Sequence, residues 1–172
     1  CFFNNIGVAA MHAIKAHGLE RVAIIDFDVH HGNGTEDCFA GNDKVLMCSI
    51  FQHPFYPYSG IDNPATNMCN VPLAAGCGGE EFRDAVLQVW TPRLKEFQPQ
   101  MIFISAGFDG HYEDDMGGLR LVEKDFAWCT EHLKKLAAEM CGKRIVSMLE
   151  GGYVMTSLAR SVGAHLRALA DL

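Results

Sequence analysis

Four short runs of nearly unbroken apolar residues punctuate this chain, at positions 22–27, 44–51, 101–106 and 144–149. Between them, apolar residues recur at helical spacing. From 4 to 17 they fall at Ile6, Ala9, Ala10, Ala13 and Ile14, with Asn at the start and Gly18 just past the end, which predicts an amphipathic helix. A short helix is expected at 35–39. A longer one opens at Gly79 with Phe82, Val86, Val89 and Trp90 on one stripe and an interruption at Pro92. A further helix is predicted over 123–140, closed by Gly142, and a last one carries Leu158, Val162, Leu166 and Leu169 inward. The stretch 52–79, rich in Pro, Gly, Asn and Tyr, reads as a long ordered loop that shapes a pocket.

Uniformly apolar strands alternating with helices predict an α/β fold with a mainly parallel sheet covered by helices on both faces. Ligands in such sheets bind beyond the carboxyl ends of the strands. Three of the four predicted strands run into polar chemistry there: Asp28 and His30 after the first, Asp109 after the third, Tyr153 after the fourth. In an extended chain, residues two apart share a face, so Asp26, Asp28 and His30 are expected to converge. Burying neighbouring carboxylates is unfavourable without a positive charge between them, and a divalent metal is the simplest candidate.

Each residue taken singly has a plainer reading. Asp26 would serve as a strand-end acceptor for backbone N–H groups, Asp109 as a turn residue, and Tyr153 as a packed amphipathic aromatic. Their joint occurrence at strand ends favours a functional cluster. His12, His17, His53, His132 and His165 read as surface or helix-face residues, and Asp114-Asp115 as solvated loop acids. The glycines near 76–79 and at 151–152 lack the spacing of a phosphate loop, and Ser105 does not sit in a nucleophile elbow.

Composition narrows the class further. The 172 residues, 49% apolar, suit one domain, taken here as 1–172. A net charge of −7 disfavours direct nucleic-acid binding and suits a basic partner. No apolar run has the roughly 18 residues of a membrane span. Seven cysteines without a C-x-x-C pair read as reduced thiols of a cytoplasmic protein. The chain starts at Cys1 without an initiator Met, and it reads as a fragment.

The segments Asp26 to Thr35 (Asp-Phe-Asp-Val-His-His-Gly-Asn-Gly-Thr), Ser105-Ala106-Gly107-Phe108-Asp109 and Glu150-Gly151-Gly152-Tyr153 closely resemble the zinc-dependent histone deacetylase and acetylpolyamine amidohydrolase superfamily, in particular its class II-like bacterial members. The opening Cys1-Phe2-Phe3-Asn4-Asn5 fits the same pattern. The resemblance implies a three-layer arginase/deacetylase-like fold of which this chain is the C-terminal portion, the N-terminal part lying upstream. It implies metal ligands Asp28, His30 and Asp109, holding Zn²⁺ or alternatively Fe²⁺ or Co²⁺, and an oxyanion donor at Tyr153. Asp26 and Asn33 match positions that orient the family's tandem catalytic His pair, which would itself fall before Cys1.

A structural K⁺ is implied at the Asp26 carboxylate, Ser49 and the carbonyls of Asp28, His30 and Ile50. A second monovalent site is implied at backbone oxygens around Phe39, Asn42 and Val45. Tyr56 and Met116 match tunnel-lining positions. Polyamine-selective relatives carry an acid where Met116 stands, so an apolar residue there favours acyl-lysine. The implied activity is hydrolysis of N-acetyl-lysine in a peptide or protein. The rivals are a small acetylated amine such as an acetylpolyamine, or a noncatalytic metal-binding domain; the oligomeric state is left open.

Overall fold

The computed structural model describes residues 2–171, so Cys1 of the opening segment lies outside the described residues. Five strands, β1 (Val22–Asp26), β2 (Val45–Gln52), β3 (Met68–Leu73), β4 (Ile102–Ala106) and β5 (Ile145–Leu149), pair in parallel in the order β3-β2-β1-β4-β5. From β1 the chain winds outward through β2 to β3, then crosses back and winds the other way through β4 to β5. The reversal leaves a crevice beyond the carboxyl ends of β1 and β4, the position where open parallel sheets bind ligands.

Helices α1 (Asn5–His17), α2 (Asn33–Phe39), α3 (Gly79–Ala85), α4 (Thr91–Phe97), α5 (Glu123–Met140) and α6 (Met155–Ala170) cover the sheet. The strict alternation of a pleated strand divides the apolar runs between two faces. Ala23, Ile25, Leu46, Cys48, Ile102 and Ile104 pack with Phe82, Trp90, Phe126 and Leu133 from α3, α4's lead-in and α5. Val22, Ile24, Val45, Met47 and Phe103 pack on the other side with Ile6, Ala10 and Ala13 of α1 and Phe39 of α2. Helix α1 is capped as its sequence requires: the Asn4 side chain accepts from the Gly7 N–H at 2.8 Å, and Gly18 ends it at φ +68°.

Two expectations are corrected, and a third is met in a particular form. The segment 52–79 is not all loop, since β3 lies within it. It was hidden because Asn70 and Pro72 break the apolar run, and Pro is tolerated there because β3 is an edge strand. The interruption expected at Pro92 takes the form of a π-helical turn, Val86–Trp90, immediately before it, after which the chain continues as α4. In α6 the fully buried stripe is Ser157, Ser161 and His165, while Leu158 and Val162 are only partly buried and Leu166 is exposed. Within that stripe His165 is bonded on both ring nitrogens, to Thr130 at 2.6 Å and Ser147 at 2.9 Å, and the Ser157 hydroxyl donates to Val154 O at 3.1 Å, while the Ser161 hydroxyl is buried without a partner.

Candidate metal centre

The sheet register places Ser49, Asp26 and Ser105 side by side on β2, β1 and β4, at the mouth of the crevice. Strand β1 stops at Asp26, so Asp28 and His30 project from irregular backbone rather than from the extended chain expected. The convergence is therefore different in detail. Asp28, His30 and Asp109 offer ligand atoms that all lie within 4.8 Å of one another, while Asp26 faces its own loop and accepts from the Asp28 N–H at 3.0 Å.

The loop geometry is held by these three side chains themselves. His30 Nδ1 lies 3.1 Å from both Asp28 Oδ1 and Asp109 Oδ2. Asp109 Oδ1 accepts from the Val29 N–H at 2.9 Å, and Asp28 accepts from the N–H groups of His30 at 2.9 Å and Gly151 at 2.8 Å. Gly107 and Gly151 are required by proximity: a Cβ at Gly151 would stand 2.1 Å from Asp109 Oδ2, and one at Gly107 2.4 Å from Asp28 Oδ2. Glycine lets both backbones press against the carboxylates.

The electrostatics are those of a site that wants a cation. Burial raises Asp109 to about 6, and burial together with Asp28 pushes Asp26 well above the usual carboxylate range. Hydrogen bonds to Asp109 and Asp28 lift His30 to about 10. A positive charge shared among the three groups relieves the repulsion, and two carboxylates plus one imidazole are a donor set suited to Zn²⁺ and leave room for further ligands. The residues present thus fit a divalent metal.

A cleft of about 790 Å³ opens over this cluster, and Asp26, Asn33, Tyr56, Met116 and Tyr153 all line it. The His30 ring stacks on Phe55 with 5.4 Å between centroids and meets Tyr56 edge-on at 6.2 Å. Burial and then the Asp109 and Asp28 charges raise the Tyr153 phenol, which keeps it a hydrogen-bond donor. The Ser49 hydroxyl is wholly buried beside Asp26 with no hydrogen-bond partner, an orphan that a monovalent cation at that place would satisfy. Another cleft, about 800 Å³ between α5 and α6, holds Lys134, Lys135 and Arg167 and lies apart from the carboxylates.

Several residues that shape the site escaped the sequence reading. Asp114 is buried, not solvated, and binds the backbone of Tyr153; nothing in its acidic neighbourhood distinguishes it from exposed Asp115. His31 turns away from the Asp28, His30 and Asp109 cluster. It binds Ser59 at 2.8 Å and Glu36 at 2.9 Å, and Gly60, at φ +90°, packs against its ring. Glu150 opens onto the cleft and receives a long bond from Ser105 at 3.4 Å.

A family model described as "Histone deacetylase domain" matches residues 1–169. The chain belongs to the histone deacetylase family. It is 39% identical to "Histone deacetylase 14, chloroplastic" of Arabidopsis thaliana over 98% of its own length and 41% of that protein's. To "Polyamine deacetylase HDAC10" of Mus musculus it is 37% identical, over 98% of this chain and 27% of the relative. The solved HDA15 HD domain superposes with a TM-score of 0.92 at 34% identity, covering 99% of this chain and 49% of that one. The fold is thus the three-layer α/β deacetylase type, and the chain spans less than half the length of these relatives. Among the described residues, no helix is long and apolar enough to cross a membrane.

Proposed function

We propose that residues 1–172 are the C-terminal portion of a single catalytic domain that hydrolyses the amide of N-acetylated amines, with the N-acetyl-lysine side chain of a peptide or protein as substrate. The reading is carried by one observation: Asp28, His30 and Asp109 converge beneath a cleft that Tyr153 lines. These three residues would hold Zn²⁺, with Fe²⁺ or Co²⁺ as substitutes, and the metal supplies Lewis-acid polarisation of the carbonyl and a water of lowered pKa. Tyr153 donates its O–H to the oxyanion that develops at the acetyl carbonyl. Asp26 and Asn33 orient the ring nitrogens of the catalytic His pair expected upstream. Asp26, Ser49 and the carbonyls of Asp28, His30 and Ile50 hold K⁺, which keeps the ligand loop in register. Tyr56 and Met116 form tunnel walls for an acyl-lysine stem. Six free cysteines at described positions support a reducing compartment such as the cytoplasm.

The test is Tyr153→Phe in the intact protein. Metal content should stay at the wild-type level while turnover of an acetyl-lysine peptide falls on the order of 100-fold, as for loss of one oxyanion donor. Unchanged turnover would remove Tyr153 from the mechanism.

The acetylpolyamine alternative is favoured by the 37% identity to a relative named as a polyamine deacetylase. Turnover of acetylputrescine above that of an acetyl-lysine peptide would establish it. A protein that binds zinc and hydroxamates yet releases no acetate from either substrate would instead be a noncatalytic metal-binding domain.

A further inference from the structure

Where α2 gives way to β2, the chain turns so that the carbonyl oxygens of Phe39, Asn42 and Val45 point at one spot. A single atom fills it: Asn67 Nδ2, at 2.8 Å from Phe39 O, 3.1 Å from Asn42 O and 2.9 Å from Val45 O. Phe39 O and Asn42 O already accept from the Asn42 N–H at 2.9 Å and the Val45 N–H at 3.1 Å, and the amide gives all three convergent carbonyls a further donor in a negative hollow that would otherwise suit a cation. These are the same backbone oxygens at which the family resemblance implied a second monovalent ion.

The amide is held with its nitrogen inward. Its Oδ1 accepts from the Gly41 N–H at 2.8 Å, on a turn where Gly41 adopts φ +76°. The Asn67 carbonyl accepts from the Met47 N–H at 3.0 Å, fixing the residue at the foot of β3. Rotating the amide would bring Oδ1 against three carbonyl oxygens and strand the Gly41 N–H. Both changes are unfavourable in a partly buried site.

We infer that Asn67 is a built-in substitute for the second ion: its amide nitrogen stands among the three carbonyls in place of a monovalent cation. The described residues therefore do not fit a second K⁺ at this place. The consequence is structural. The amide ties the end of α2, the start of β2 and the edge strand β3 together without an ion that dilution could remove.

Asn67→Asp tests this with little change in shape. A carboxylate facing three carbonyls needs a cation between them, so the variant should recruit one. Thermal melting of the wild type and of Asn67→Asp is followed from 0 to 100 mM KCl, with tetramethylammonium chloride holding ionic strength constant. The variant should gain on the order of 4 °C or more beyond the wild-type gain, as expected when a ligand binds only the folded state. A variant that responds no more than the wild type overturns the inference. Wild-type crystals grown in Rb⁺ give an independent reading that needs no variant to fold. No anomalous peak should appear among the Phe39, Asn42 and Val45 carbonyls. A peak there, with the Asn67 side chain displaced, overturns the inference.

Discussion

The Asp114 carboxylate holds the backbone of Tyr153: its Oδ2 accepts from the Tyr153 N–H at 2.7 Å and the Val154 N–H at 3.2 Å, while its Oδ1 accepts from the Met116 N–H at 3.0 Å. One buried side chain thereby fixes both the phenol that faces the cleft and the residue opposite it. Asp114→Ala should leave metal content unchanged and lower kcat for an acetyl-lysine peptide by about 10- to 100-fold, because a misplacement near 1 Å has effects of that size. Asp114→Asn keeps one acceptor oxygen and should recover part of the loss. Metal analysis alongside steady-state kinetics checks both, and a loss confined to KM would count against the positioning role.

Gly151 lies against the Asp28 and Asp109 carboxylates. Because an added methyl would overlap Asp109 Oδ2 and Asp28 Oδ2, Gly151→Ala should weaken metal affinity by at least about 10-fold, the scale seen when groups supporting metal ligands are disturbed. Competition with a metallochromic chelator measures it directly. Full metal affinity in a folded variant would show that the site relaxes around the methyl.

Met116 stands half-exposed at the cleft with Tyr56. Placing a carboxylate there adds a partner for the ammonium groups of a polyamine and none for an acyl-lysine stem. Met116→Glu should raise kcat/KM for acetylputrescine relative to an acetyl-lysine peptide by up to about 5-fold, the value of one exposed ion pair. A ratio that does not move would show that this loop does not contact substrate.

His165 gives the fold a pH dependence remote from the metal ligands. It is buried against Phe27 and Phe108, and burial lowers it from 6.5 to about 4. The unfolded chain therefore binds its proton first as pH falls, so stability is full above 6.5 and is lost between 6.5 and 4. Between pH 7 and 5 the loss from this group is about 2 kcal/mol. Urea denaturation at both pH values should show that slope, and His165→Gln should flatten it.

How far the sequence disclosed this molecule can be traced residue by residue. Helices α1 and α5 were legible because caps and periodicity agreed locally, as with Asn4, Gly18 and Gly142. The cluster Asp28, His30 and Asp109 stood out because charged groups at the ends of apolar strands have few other reasons to be there. What stayed hidden depends on long-range partners. Strand β3 becomes a strand only by pairing with β2, and Asp114 becomes buried only when the turn after β5 folds over it. Likewise Ser157, Ser161 and His165 look like an outward face until Thr130 and Ser147 are placed opposite them. The carbonyls of Phe39, Asn42 and Val45 were marked by the family resemblance, whereas Asn67, which fills the space between them, carries no signal in a one-dimensional pattern.

The reversal of winding between β1 and β4 has a bearing on folding fidelity. Asp28 and Asp109 come from strand ends far apart in the chain, and they meet only because Asp26 pairs with Ser105 in the β1 and β4 register. A slip of one residue would exchange the faces of every side chain on the slipped strand. Because both neighbouring faces of these strands are apolar, such a slip would be poorly penalised by hydrophobicity alone. The acidic cluster supplies the missing discrimination: a misaligned sheet would bury its carboxylates without their partners. The Asp28, His30 and Asp109 cluster would thus also act as a proofreading mark for the assembly of the sheet.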